Sequence, residues 1–229
     1  MTGNPPRAAV LWTGGKDSAF AMHEAMTRGY SVASLATFAP PGARFLAHPL
    51  KLMAAQAEAL RLPHRVMEIV EPFEAGYRQA ISQLCRSEGL SAIVTGDIAE
   101  VAGMPNWVRQ CCRGLDVEVF MPLWHRARGE IMDAVLAAGI KPVLSCVKRP
   151  WFTADWLGRV IGGPCLEELR RLGQRTGLDL CGENGEYHTM VMDGPEFRES
   201  LEIAGAAPRE EGDIMYLEVQ QVRRLGKPG

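Results

Sequence analysis

The sequence predicts an α/β protein, a doubly wound and mostly parallel sheet with a small C-terminal α+β lobe. Three observations predict it. Short apolar runs alternate with segments of helical period over the first 150 residues. A glycine pair follows the first apolar run and opens the first helical segment. After residue 150 that rhythm lapses into an aromatic stretch, a charged helix and two strand-like runs separated by a long connection. On this reading residues 1–150 form the α/β domain and residues 151–229 the lobe.

Each element has its own warrant. Residues 8–12 are apolar and bounded by Arg7 and a glycine turn, so they read as a buried strand. Residues 17–29 read as a helix stopped by Gly29. Residues 30–38 form a second strand, ended by Pro40-Pro41-Gly42. A helix over 49–62 and a strand over 64–70 follow. Phe73, Tyr77, Ala80, Ile81 and Leu84 share one helical face. Strands are expected at 91–95, 118–123 and 141–147, with helices at 107–113 and 130–138. The lobe should hold a helix over 166–172 and strands over 187–192 and 214–222.

Composition narrows the class. Of 229 residues, 47% are hydrophobic and 23% charged, which suits a globular chain and excludes disordered and fibrous classes. The net charge of −2 weighs against a nucleic-acid partner, which usually calls for a basic excess. No apolar run reaches the roughly 18 residues that span a bilayer. Residues 1–7 are polar and lack signal-peptide architecture, so the cytoplasm is the expected compartment. The six cysteines form no Cys-x-x-Cys pair, which favours buried, reduced thiols over a zinc or iron–sulfur site.

The strongest local signal is Thr13-Gly14-Gly15-Lys16-Asp17-Ser18. It is not a Walker loop, because Val10 stands where the first glycine belongs and Asp17 where Ser or Thr belongs. The chemistry is related. Gly14 and Gly15 allow a tight turn and close approach to an anion, and the helix N-terminus adds N–H groups and partial positive charge. Thr13 and Ser18 add hydroxyls, and Lys16 adds a full charge. A polyphosphate is the natural ligand, with Mg²⁺ between it and Asp17. The plainer alternative is a glycine turn whose Thr and Asp only cap a helix. The loop resembles that of the N-type ATP pyrophosphatases, [ST]-G-G-x-D-S. Those enzymes cut ATP between the α and β phosphates and adenylate a substrate oxygen. The resemblance implies that Lys16, Asp17 and the rest of the loop hold the leaving pyrophosphate.

A second motif reads Cys181-Gly182-Glu183-Asn184-Gly185-Glu186-Tyr187-His188-Thr189. Two carboxylates three residues apart make a polar turn suited to an ammonium group, an amine or a metal; a charged loop entering a strand is the plain alternative. With the first loop, this segment resembles the diphthine–ammonia ligase family. Further matches are Gln56-Ala57-Glu58-Ala59-Leu60, Thr95-Gly96-Asp97-Ile98, Pro122-Leu123-Trp124 and Leu157-Gly158-Arg159. The resemblance covers residues 8–200. It departs at Thr13 (commonly Ser), at Gly162 (commonly acidic), in the short loop 39–47 and at Asn184, where Gly is usual. Asn tolerates the positive φ expected there. Asn184 and His188 together look most like bacterial relatives.

The resemblance implies an adenine nucleotide alpha hydrolase-like fold and an AMP-forming C–N ligase using ATP and Mg²⁺. A carboxylate-bearing substrate, diphthine on an elongation factor or another molecule, would receive ammonia or an amine. Lys16 and Asp17 would serve adenylation, and Glu183 and Glu186 the amine. The nucleotide contacts would come from the loop with Phe38, His48, Gly96 and Asp97, the last pair at the carboxyl edge of the sheet. Trp107, Trp124, Arg159, Asn184, Tyr187, His188 and Thr189 would contact substrate. Core packing is the plain alternative for the tryptophans, and a solvated side chain for Arg159. A homodimer stays open. Two rivals share the loop: a tRNA-modifying ATPase, which usually brings cysteine pairs or a basic domain, and a non-enzymatic adenine-nucleotide sensor.

Overall fold

A computed structural model describes residues 4–100 and 103–227. Its elements are β1 (Arg7–Leu11), α1 (Lys16–Thr27), β2 (Ser31–Ala39), α2 (Leu50–Leu60), β3 (His64–Glu68), α3 (Phe73–Glu88), β4 (Ala92–Val94), α4 (Trp107–Cys111), β5 (Glu118–Phe120), α5 (Arg128–Ala137), β6 (Lys141–Lys148), α6 (Gly163–Thr176), β7 (Tyr187–Asp193), β8 (Glu199–Glu211) and β9 (Ile214–Gly226). A short 3₁₀ turn, Ala154–Trp156, lies before α6. The chain divides into two units. One comprises residues 1–13, 17–43 and 62–125; the other comprises 14–16, 44–61 and 126–229.

The first unit is built on a five-stranded sheet in the order β3-β2-β1-β4-β5, with every pair parallel. The short apolar strands fit that position, since parallel strands are covered on both faces. Ala8, Ala9, Val10, Ile93 and Val94 are all fully buried. The α3 stripe is buried except at its start: Ala80, Ile81 and Leu84 join the core and Tyr77 packs against it, but Phe73 is 44% exposed. Chain order reverses between β1 and β4, the switch point at whose carboxyl edge α/β sheets bind ligands.

The second unit is built on a four-stranded antiparallel sheet in the order β7-β6-β9-β8. Two expectations change here. Strand β6, read from sequence with the first 150 residues, pairs antiparallel with β7 and β9, and α5 belongs to the same unit, which the chain enters for the last time at residue 126. An apolar run marks a buried strand but not its partners, so periodicity could not place it. The long connection between the last two expected strands is instead the 13-residue strand β8, paired with β9 along its length apart from an irregularity around Gly205. Gly205, Pro208 and a charged end disguise it, as they do many edge strands.

The described cysteines are free thiols, all buried except the half-buried Cys85. Burial pushes the Cys112 and Cys146 thiols up to about 11. Among the described residues no helix is long and apolar enough to cross a membrane.

Candidate active site

The Thr13–Ser18 loop leaves the carboxyl end of β1 and enters α1, whose first residue is Lys16. Gly14 turns at φ +76°, where an L side chain is strained. A Cβ there would lie 2.3 Å from Gln56 Oε1. Gln56 is fully buried in α2, and its Nε2 donates to both the Gly14 and Val191 carbonyls at 2.8 Å. Val191 N–H also donates to the Gly14 carbonyl at 2.9 Å. The loop backbone is thus fixed by α2 and β7. In the sequence Gln56 stands out only within a family match; a glutamine inside an apolar helix gives no local sign of such a task.

Lys16 is only 3% exposed. Its N–H donates to Thr189 Oγ1 at 3.0 Å, and its Nζ donates to the Cys181 carbonyl at 2.5 Å. The Tyr187 ring centroid lies 5.3 Å from Nζ, within cation–π range. Lys16, Cys181, Tyr187 and Thr189 therefore meet.

The second motif is a tight turn before β7. Gly182 and Gly185 carry its positive φ values, +76° and +80°. Asn184 does not, contrary to expectation; it serves instead through its side chain. Glu186 is 1% exposed and accepts from Asp179 N–H at 2.9 Å, Asn184 N–H at 3.0 Å and Asn184 Nδ2 at 3.1 Å. Its carboxylate is thus committed to its own turn, whereas Glu183 is exposed. Tyr187 is buried and donates its hydroxyl to the Leu180 carbonyl at 2.6 Å.

His48 and His188 stack edge-on, with centroids 5.3 Å apart. The ring of His48 keeps some exposure, but its Nδ1 is buried with no partner. Burial, then the neighbouring His188 and Lys16, hold its imidazole down at about 3, so it is neutral at neutral pH.

In the first unit, Thr13 and Ser18 hydroxyls stand 3.3 Å apart. Gly96 follows β4 and packs on the start of α1; a Cβ there would lie 2.6 Å from the Asp17 carbonyl carbon. Asp97 accepts from Asn106 Nδ2 at 2.6 Å, and Asn106 Oδ1 caps α4 by accepting from Arg109 N–H. Phe38 packs edge-on against Tyr77, and Tyr77 against the 40% exposed Trp107. Trp124 stacks on His125, with the Arg109 guanidinium 6.0 Å from its centroid. Arg159, in the second unit, pairs with Glu168 at 2.7 Å and lies over the Trp156 ring at 4.1 Å. Those contacts account for it without the 181–189 turn.

The fold and the loop define the class, an α/β protein with a glycine turn and a helix N-terminus at the switch point of a parallel sheet. The chain belongs to the diphthamide synthase family: residues 6–119 match the diphthamide synthase N-terminal domain and residues 128–225 the C-terminal domain. It is 24% identical over 234 residues to a diphthine–ammonia ligase of Schizosaccharomyces pombe, covering 92% of this chain but 38% of that protein. It is 25% identical to one of Rattus norvegicus, covering 86% of this chain and 82% of that one, and 24% identical to one of Danio rerio, covering 86% of each. Among solved structures, a predicted subunit of a tRNA methyltransferase from Methanocaldococcus jannaschii aligns with a TM-score of 0.46 at 13% identity, over 83% of this chain and 98% of that one.

Proposed function

We propose that this protein is an ATP-dependent, AMP-forming ligase that converts a substrate carboxylate to an amide with ammonia or an amine. Family membership and relatives named diphthine–ammonia ligase support the class. The observation that carries the reading is Lys16, a buried ammonium on the glycine loop held by the second motif.

The loop fits a polyphosphate. The turn at Gly14 and the close approach at Gly96 leave no room for a Cβ, and the loop runs into a helix N-terminus, where negative charge is favoured. Lys16 would neutralise charge on the leaving pyrophosphate, and Thr13 and Ser18 would donate hydroxyls to it. Asp17 would hold Mg²⁺, which supplies charge neutralisation between phosphates and protein. Phe38, His48, Gly96 and Asp97 would contact the nucleotide, and Trp107, Trp124, Asn184 and His188 the substrate. The exposed Glu183, in place of the committed Glu186, would orient the incoming amine and take its proton.

Incubating the protein with ATP, Mg²⁺, ¹⁵N-ammonium and a diphthine-bearing protein tests this. The proposal expects ¹⁵N in an amide at the former carboxylate, strictly dependent on ATP. ATP bound but no label transferred would favour the nucleotide-sensor rival.

A further inference from the structure

The 179–187 segment is tied to the loop lysine. Lys16 Nζ sits on the Cys181 carbonyl at 2.5 Å, above the face of Tyr187. That carbonyl is set by its neighbours. Cys181 N–H donates to Asp179 Oδ1 at 2.8 Å, and Tyr187 anchors Leu180 through its carbonyl. Asp179 is held by the Arg128 guanidinium, Nε to Oδ2 at 3.1 Å, both side chains largely covered. Its own N–H donates to Glu186, which also gathers the N–H and side-chain amide of Asn184. Arg128 fixes Asp179, Asp179 and Glu186 fix the turn, and the turn presents one carbonyl to one ammonium.

A lysine has four rotatable bonds, and its charge stabilises a developing anion only if it already stands in place. A free lysine would lose that rotamer freedom during the reaction. We propose that Asp179, Arg128 and Glu186 are positioning residues for Lys16, so that the second motif acts on the polyphosphate half of the reaction through the loop lysine. Its catalytic meaning rests on the ATP chemistry proposed above; its geometry does not.

The test measures Lys16 itself. Lysine acylation by acetic anhydride is followed by peptide mass spectrometry in the wild type, Glu186→Gln, Asp179→Ala and Arg128→Met, with the exposed Lys141 as internal reference. ATP and AMP affinities are measured on the same proteins by calorimetry. Glutamine cannot accept from all three donors, because its amide nitrogen would face an N–H. Lys16 labelling should rise about tenfold in the variants, and ATP affinity should fall about tenfold, the range for a charge-assisted hydrogen bond. AMP, lacking the outer phosphates, should bind as before. Asp179→Asn keeps an acceptor for the Cys181 N–H and should recover most of both effects; Glu186→Gln and Arg128→Met carry the test if Asp179→Ala fails to fold. Unchanged Lys16 labelling across the variants, or AMP affinity falling in step with ATP affinity, overturns the proposal. If the wild type binds no ATP, the ligase reading falls, while labelling still decides the positioning role.

Discussion

Glu183 and Glu186 show how two identical side chains three residues apart part company in a fold. The sequence makes them equivalent candidates for amine chemistry. The structure commits one to three N–H donors and leaves the other exposed. Nothing local distinguishes them, since the first donor comes from Asp179, outside the motif. His48 is the opposite case, a group whose buried Nδ1 has no protein partner. Burial, His188 and Lys16 lower its pKa from 6.5 to about 3. The sign follows directly: between those values the unfolded chain takes up a proton that the folded one refuses. Stability is therefore fully present above about pH 6.5 and falls as pH drops toward 3. The slope from one such group is at most about 1.4 kcal/mol per pH unit. His64, lowered by burial, acts in the same direction. Urea titrations at pH 7, 6 and 5 should show this loss in the wild type and a shallower one in His48→Asn. Equal slopes would contradict the assignment.

At the element scale, the carboxyl end of β4 and the first turn of α1 are joined by a glycine. Gly96→Ala puts a methyl 2.6 Å from the Asp17 carbonyl carbon and 2.8 Å from the Ser18 nitrogen, backbone atoms that cannot swing away. Overpacking of this kind costs about 1–3 kcal/mol. The variant should melt at a lower temperature and lose ATP affinity more than in proportion, because the displaced atoms belong to the loop. A wild-type melt with wild-type affinity would show that the contact is looser than it looks. The parallel strands, the loop and the helix stop at Gly29 were legible because each rests on a local rule: an apolar run, a glycine pair, a left-handed glycine. The pairing of β6, the existence of β8 and the task of Gln56 were not. β6 and Gln56 depend on partners far along the chain, β7 and β9 for β6 and Gly14 and Val191 for Gln56, whereas β8 pairs with the adjacent β9 and is disguised by Gly205, Pro208 and its charged end. The second motif stood out by its composition, but its link to Lys16 spans 165 residues.

On the scale of the whole molecule, the second unit is not a simple C-terminal piece. It includes residues 44–61, and α2 buries Leu52, Met53, Ala57 and Ala59 beside β8 and β9. The Arg198 N–H donates to the Ala59 carbonyl, and Arg224 pairs with Glu58. Residues 126–229 expressed alone should therefore lack a cooperative thermal transition by circular dichroism, despite matching a family domain nearly end to end. A sharp melt of that fragment would show that α2 is dispensable. The proposed reaction turns on where ATP is broken. The most direct measurement follows α-labelled ATP in the presence of Mg²⁺, ammonium and a diphthine-bearing protein, with wild type and Lys16→Ala side by side. The label should appear in AMP, with pyrophosphate released. Lys16→Ala should reduce that turnover by about 10²–10³, the cost of removing one preorganised charge from a leaving group. Label accumulating in ADP, or an unimpaired Lys16→Ala protein, would contradict it.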